Sequence, residues 1–172
     1  MKPRTFYPAL LLFAVLMLPP ALRAQITIVP SATAAILANK LVGPGVIIIS
    51  PTINCPTIAN GTFSGPSTLS FDSGIVLTNG TATDASNAAS FFASTGIGTP
   101  GDPQLTALAG QPTHDACILE FDFRPIGDTV KFDYVFGSEE YTSYTCSSFN
   151  DVFGFFISGP GYGGPTNLAL VP

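Results

Sequence analysis

Two neighbouring stretches of the chain alternate apolar and polar residues, and this pattern restricts the fold more than any other feature. In residues 117–124 (CILEFDFR), Leu119, Phe121 and Phe123 alternate with charged residues. Residues 129–136 (TVKFDYVF) repeat the pattern. Successive side chains of a β-strand point to opposite faces, so each stretch predicts a strand with one apolar face. The four residues between them predict a β-hairpin.

This hairpin has a register in which pattern and pairing agree. Pairing Arg124 with Thr129 places the apolar side chains of both strands on one face and opposes Asp122 to Lys131 on the other. A sheet with one apolar face has to bury that face against another layer. We therefore predict a mainly β chain that folds as an antiparallel, jelly-roll-like β-sandwich.

Shorter patterns predict the remaining strands and one short N-terminal helix. Further strands are expected at residues 26–29, 46–50, 68–71, 74–77, 152–158 and 167–171. Residues 34–43 (AAILANKLVG) space their apolar side chains for one helical face. Ser31 or Thr33 is the expected N-cap, and Gly43 is the expected stop. A single further helical turn is expected at residues 103–108.

Two Asn-Gly dipeptides, Asn60-Gly61 and Asn79-Gly80, mark expected turns. Each also begins an Asn-x-Thr sequon, but turn chemistry explains both dipeptides without a glycan. The chain also has 17 glycines and 16 prolines, which favour turns. We therefore expect many short loops between the strands.

The first 24 residues have the anatomy of a secretory signal peptide. Lys2 and Arg4 make the start positive, residues 9–18 form an apolar run, and the small Ala24 precedes the expected cleavage point. The run is about half of the roughly 20 residues that span a bilayer, which favours cleavage over a membrane anchor. We expect residues 25–172 to form one exported domain with no membrane span after cleavage.

The charge balance excludes one class of partner. The chain has 6 basic and 11 acidic residues and a net charge of −5. An acidic surface repels polyanions, so nucleic-acid binding is excluded. Its 14 Phe and 5 Tyr also exclude a disordered chain, which would be poor in aromatic residues.

Export makes disulfide bonds possible, and the chain has three cysteines, Cys55, Cys117 and Cys146. One pair therefore leaves one cysteine over. The sequence leaves open whether Cys117 pairs with Cys55 or with Cys146. No C-x-x-C motif is present and His114 is the only histidine, which argues against structural zinc.

The densest polar cluster predicts a cation site. Glu139 and Glu140 precede a loop, and Asn150 and Asp151 open the strand that follows it. Closure of this loop would bring the four side chains to one edge of the sheet. Carboxylate and amide oxygens are ligands that Ca²⁺ prefers, so we expect a Ca²⁺ site here, with Asp115 as an additional candidate ligand. The alternative is that the acids solvate the loop while Asn150 and Asp151 cap turns.

No set of residues predicts catalysis, and we expect no enzyme, no catalytic residue and no organic cofactor. A glycosidase places two carboxylates across a cleft, but adjacent glutamates in an extended segment point apart. A serine or cysteine nucleophile needs a base, and the single histidine has no G-x-S-x-G motif beside it. The alternative is a carbohydrate-binding module or carbohydrate-active enzyme. Because the chain has no tryptophan, sugars would stack on Tyr141, Tyr144 or Tyr162.

Residues 115–161 (DACILEFDFRPIGDTVKFDYVFGSEEYTSYTCSSFNDVFGFFISGPG) resemble the choice-of-anchor L domain of bacterial exported proteins. Residues 34–49 (AAILANKLVGPGVIII), 73–80 (SGIVLTNG) and 101–110 (GDPQLTALAG) are similar as well, in the same order. The motif GSEEY…FNDVFGFFISGP is specific, and the resemblance covers most of the chain that follows the signal peptide.

The resemblance implies a domain that is displayed at the surface by large bacterial proteins with differing C-terminal sorting or anchoring signals, many from bacteria with type IX secretion and gliding motility. It implies no catalytic activity. Relatives continue with further strands, so we expect this chain to be incomplete at its C-terminus. The leading hypothesis is a non-enzymatic cell-surface module for adhesion, display or binding of a protein or glycan, stabilised by Ca²⁺.

Overall fold

The structure is a computed structural model, and it describes residues 26–67, 69–86, 93, 95–138, 144, 147, 149 and 151–169. Every pair of strands in this part of the chain is antiparallel, and the α-helices are few and short. The predicted mainly β class with a short N-terminal helix is therefore confirmed.

The elements follow one another in the order strand, helix, and then mostly strands. The strands are β1 (Thr27–Pro30), β2 (Val46–Asn54), β3 (Asn60–Ser64), β4 (Ser73–Leu77), β5 (Ile118–Pro125), β6 (Phe156–Ile157) and β7 (Thr166–Asn167). The α-helices are α1 (Ala34–Leu41) and α2 (Pro103–Ala109), and short 3₁₀ helices lie at Thr57–Ala59 and Ala82–Ser86.

The described strands form small sheets. In one of these sheets, a buried aromatic ring packs over the neighbouring strand. β3 lies between β1 and β4, while β2 pairs with β5 and β6 pairs with β7. Phe63 on β3 is buried and lies opposite Gly74 on β4. A Cβ atom at position 74 would lie 2.7 Å from the Phe63 ring, so the ring can occupy this position only because residue 74 is glycine.

The helix α1 supplies much of the buried apolar surface. The Thr33 side chain caps it by accepting a hydrogen bond from the Ile36 backbone N–H at 3.3 Å, as expected of an N-cap. The helix contacts strands of both the β1–β3–β4 and the β2–β5 sheets. Its Leu37 and Ala38 are fully buried, and the other buried apolar residues described are Ala59, Phe63 and Ala82. The buried apolar core of the described residues is therefore small, and α1 supplies two of its five residues.

A bulge allows β2 to continue past a proline. The pairing of β2 with β5 shifts between Ile49 and Thr52, and Ser50 takes a left-handed φ of 48°. Proline has no N–H to donate to a ladder, so within strands it is tolerated at such irregularities. The strand predicted to close at Pro51 therefore extends to Asn54.

The predicted hairpin between residues 117–124 and 129–136 is wrong. The partner of β5 is β2, with Arg124 opposite Ile47 and Asp122 opposite Ile49. Residues 129–136 are described but carry no strand. The apolar side chains of residues 132–136 pack instead on Phe153 and Phe155, so they are covered without a ladder to β5.

Other differences are smaller. Asn60-Gly61 is not a turn but the start of β3, where Asn60 is only 2% exposed. Residues 69–71 of the predicted strand 68–71 form bends or coil. The short strand β6 lies within the strand predicted at residues 152–158. The short strand β7 overlaps the start of the strand predicted at residues 167–171. The predicted turn of helix at residues 103–108 is present as α2.

A disulfide bond joins Cys55, which follows β2, to Cys117, which precedes β5. It lies beside the last pair of the β2–β5 ladder, Asn54 opposite Ile118. The sequence left this pairing open, and the structure selects Cys55 as the partner. Cys146 lies outside the described residues.

We expect Cys55→Ser to lower the free energy of unfolding by about 4 kcal/mol, because the bond links residues that are 62 positions apart. Denaturant unfolding followed by tyrosine fluorescence measures this loss. Cys146→Ser is the matched control and should leave the midpoint unchanged. An equal loss in both variants would contradict the pairing.

Candidate functional site

Aromatic side chains from two segments meet on the surface. The ring of Phe132 lies 3.8 Å from that of Phe155, centroid to centroid, and Tyr134 lies 5.3 Å from Phe153. Phe136 lies 6.3 Å from Phe153. We call these five residues the aromatic ladder.

The order of these contacts shows how the two segments run. Residue 132 meets residue 155, residue 134 meets residue 153, and the Ser138 hydroxyl donates to the Asp151 carboxylate at 3.2 Å. The segments are therefore antiparallel neighbours, with aromatic cross-pairs like those of a sheet.

The aromatic ladder is only partly covered. Tyr134, Phe136 and Phe153 are 39%, 47% and 38% exposed. Contiguous exposed apolar surface of this kind marks interaction sites more often than single exposed residues do. The ladder is therefore the strongest candidate for a binding surface among the described residues.

A cleft of about 450 Å³ lies beside the ladder, between residues 69–71 and residues 132–135. The Ser67 hydroxyl holds the first wall in place, since it donates to the Phe71 carbonyl at 2.7 Å and accepts from the Leu69 N–H at 3.1 Å. Phe71 also packs against the buried Phe63, with ring centroids 6.0 Å apart. This wall is thus tied to the core.

The carboxylate of Asp151, a predicted Ca²⁺ ligand, connects three parts of the chain. One of its oxygens accepts a hydrogen bond from the Asn79 side-chain amide at 2.8 Å, and the other accepts from Ser138 at 3.2 Å. Asn79 lies just after β4. Asp151 therefore ties the aromatic ladder to the β1–β3–β4 sheet.

Of the other predicted ligands of the Ca²⁺ site, the structure describes only Asp115. Glu139, Glu140 and Asn150 lie outside the described residues. Among the residues that are described, no three His, Cys, Asp or Glu side chains group closely enough to hold a metal ion. The Ca²⁺ site remains a prediction of the sequence.

Asp115, the additional candidate, organises a loop. Its carboxylate accepts hydrogen bonds from the Thr99 N–H at 2.6 Å, the Thr99 hydroxyl at 3.2 Å and the Ile97 N–H at 3.2 Å. Burial opposes ionisation of this carboxyl, but the hydrogen bonds from the Thr99 and Ile97 backbone outweigh it and hold the pKa of Asp115 below its ordinary value. Asp115 and Asp151 share no hydrogen-bond partner in the described structure.

Of the tyrosines named for sugar stacking, Tyr144 and Tyr162 do not line the cleft. Tyr144 packs edge to face on Phe149, with centroids 5.6 Å apart. Tyr162 is exposed in the turn between β6 and β7, and Tyr141 lies outside the described residues. The backbone of His114 pairs with that of Pro100 in an isolated antiparallel β-bridge.

The sequence did not predict the cleft, although one signal for it was present. Aromatic residues at alternate positions in both 132–136 and 153–155 could have predicted the ladder, had the two segments been paired with each other. Nothing local predicted that Phe71 would lie across the cleft from residues 132–135, because the two segments are far apart in the sequence.

We expect Asp115→Asn to destabilise the protein at neutral pH by at most about 1 kcal/mol, because the carboxylate is only partly buried and solvent screens its interactions. A lowered pKa in the folded state stabilises the fold above the unfolded value of 3.8, and this contribution is lost as pH falls through the folded pKa. The difference between wild type and variant should therefore vanish in strong acid. Urea unfolding between neutral and acidic pH measures it.

Asp128→Asn is the matched control for this prediction. Asp128 is exposed and its carboxylate accepts a hydrogen bond from the adjacent Thr129 hydroxyl. A loss of stability in this variant equal to that in Asp115→Asn would show that general charge, not the loop contacts, is responsible.

Neither helix α1 nor α2, nor any other helix in the described part of the chain, is long and apolar enough to cross a membrane.

Comparison with known proteins places the chain in a family. No curated protein and no solved structure matches the sequence. The family model described as Choice-of-anchor L domain matches residues 27–172, which is most of the chain and confirms the resemblance seen in the sequence. The chain therefore belongs to the choice-of-anchor L domain family.

Proposed function

We propose that this protein is a non-enzymatic, exported module that is displayed at the bacterial cell surface and acts there in adhesion or ligand binding. The observation that carries the proposal is the match of the choice-of-anchor L family model to residues 27–172. The signal-peptide pattern of residues 1–24 supports export. The disulfide between Cys55 and Cys117 supports an oxidising compartment, since such bonds are rare in the cytosol.

The surface of the described structure supports binding as the activity. The aromatic ladder leaves ring surface exposed, and an open cleft of about 450 Å³ lies beside it. The carboxylates of Asp115 and Asp151 accept hydrogen bonds that hold loops together. This use of the acids supports structural roles for them over acid–base catalysis.

We expect surface display to be measurable on intact cells that express the chain. A membrane-impermeant, amine-reactive reagent should label the exposed Lys40 and Lys131 on intact cells, as detected by peptide mass spectrometry. A chain lacking residues 1–24 is the control and should react only after lysis. Reaction of the intact chain only after lysis would contradict the proposal.

A Ca²⁺ site formed by Glu139, Glu140, Asn150 and Asp151 is part of the proposed function. Its support is that Ser138, which precedes the two glutamates, contacts Asp151 directly. This contact joins residues that flank the predicted ligands on both sides of the loop, which favours their convergence. A bound cation would offset the repulsion between their carboxylates.

We expect millimolar Ca²⁺ to raise the melting temperature relative to a chelator, because a ligand of the native state stabilises it. The Glu139→Gln and Glu140→Gln double variant should lose this increase, whereas Asp128→Asn, which removes a charge outside the predicted site, should keep it. Differential scanning fluorimetry measures the shift, and Mg²⁺ tests selectivity. An unchanged melting temperature in Ca²⁺ would contradict the site.

A further inference from the structure

We propose that the cleft between residues 69–71 and 132–135 binds an arginine-containing basic segment of a partner protein. The inference rests on the proposed function, since it names the class of partner that a surface binding module would take.

Three aromatic residues, Phe71, Phe132 and Tyr134, are among those that line the cleft. Phe132 is held by Phe155 at 3.8 Å and stacks with Tyr134 at 5.7 Å and an interplanar angle of 24°. Tyr134 leaves 39% of its surface exposed, and Phe71 closes the opposite wall. A guanidinium group stacks on such ring faces through cation–π attraction.

Asp133 supplies the charge that selects a cation. It lines the cleft between Phe132 and Tyr134 in sequence, and its side chain is exposed. Among the described residues it takes part in no hydrogen bond or ion pair. A carboxylate that is free to accept can receive two parallel N–H bonds from one guanidinium, a geometry that an ammonium group cannot match.

The charge of the chain favours this occupant over others. With 11 acidic and 6 basic residues the protein attracts cationic partners and repels a second copy of itself. Asp72, beside Phe71, adds a second exposed acid near the cleft, while Lys131 is the basic residue closest to Asp133 in sequence. A neutral saccharide would gain nothing from this complementarity.

The wall that carries Phe71 is set before any ligand arrives. The Ser67 hydrogen bonds hold residues 69–71, and Ser70 adopts a left-handed φ of 70°, which is uncommon for residues other than glycine. A pre-formed wall lowers the cost of ordering on binding.

Fluorescence anisotropy with the purified full chain tests the proposal. The probe is a labelled peptide of alternating arginine and glycine, and the matched control peptide replaces each arginine with citrulline, which keeps the shape but removes the charge. At physiological salt we expect the citrulline peptide to bind at least about tenfold more weakly. Equal binding of the two peptides, or binding of neither, would overturn the proposal.

Paired variants locate the site. We expect Asp133→Asn and Tyr134→Leu each to weaken binding of the arginine peptide by about tenfold. Their controls, Asp128→Asn and Tyr162→Leu, remove the same groups from exposed positions outside the cleft and should leave affinity unchanged. Equal losses in a variant and its control would show non-specific attraction, and oligosaccharide binding that is lost in Tyr134→Leu without peptide binding would assign the cleft to sugars.

These measurements separate the inference from the proposed function. Peptide binding is measured on purified protein and does not depend on where the protein resides. Surface labelling without peptide binding would overturn only the choice of partner, whereas peptide binding without surface labelling would overturn only the location.

Discussion

The pairing of β2 with β5, closed by the Cys55–Cys117 disulfide, is the constraint on which the described structure depends. It joins strands that are far apart in sequence, and the chain that leaves Cys55 passes through a short 3₁₀ helix into β3 of the neighbouring sheet. The buried core is small, so burial of apolar surface alone gives limited stability. A covalent link offsets this limit because it restricts the unfolded chain more than the folded one.

The small core is accompanied by aromatic rings that stay partly exposed on the surface. Rings that a larger core would bury are instead arranged in the aromatic ladder, where cross-pairs between two antiparallel segments hold them. Asp151 then ties the ladder to the end of β4 through Asn79. The same few contacts that order this part of the chain therefore also present ring surface and a cleft to a partner, in a protein whose net charge is negative.

Local signals predicted local structure well. The apolar spacing and the Thr33 cap predicted α1, and β-branched residues predicted β2, because these elements depend on nearby residues. The hairpin was wrong because the rule compares only sequence neighbours, whereas residues 132 and 134 pack their rings on residues 155 and 153. Asn60-Gly61 failed for a related reason: burial of Asn60 in β3 overrode the turn preference of the dipeptide. At the candidate site, the charge of Asp151 predicts a ligand, but nothing local predicts its partner Asn79, which lies 72 positions away.

The sequence by itself determined the alternating faces of the strands, the start of the helix, the acidic balance and the family to which the chain belongs. Each of these follows from residue types at short spacing or from an ordered set of motifs. Only the tertiary structure decided which strand pairs with β5, which cysteine joins Cys117 and which rings line the cleft. Those outcomes depend on contacts between distant segments, whose competing partners have similar local patterns and are separated only by packing of the whole chain.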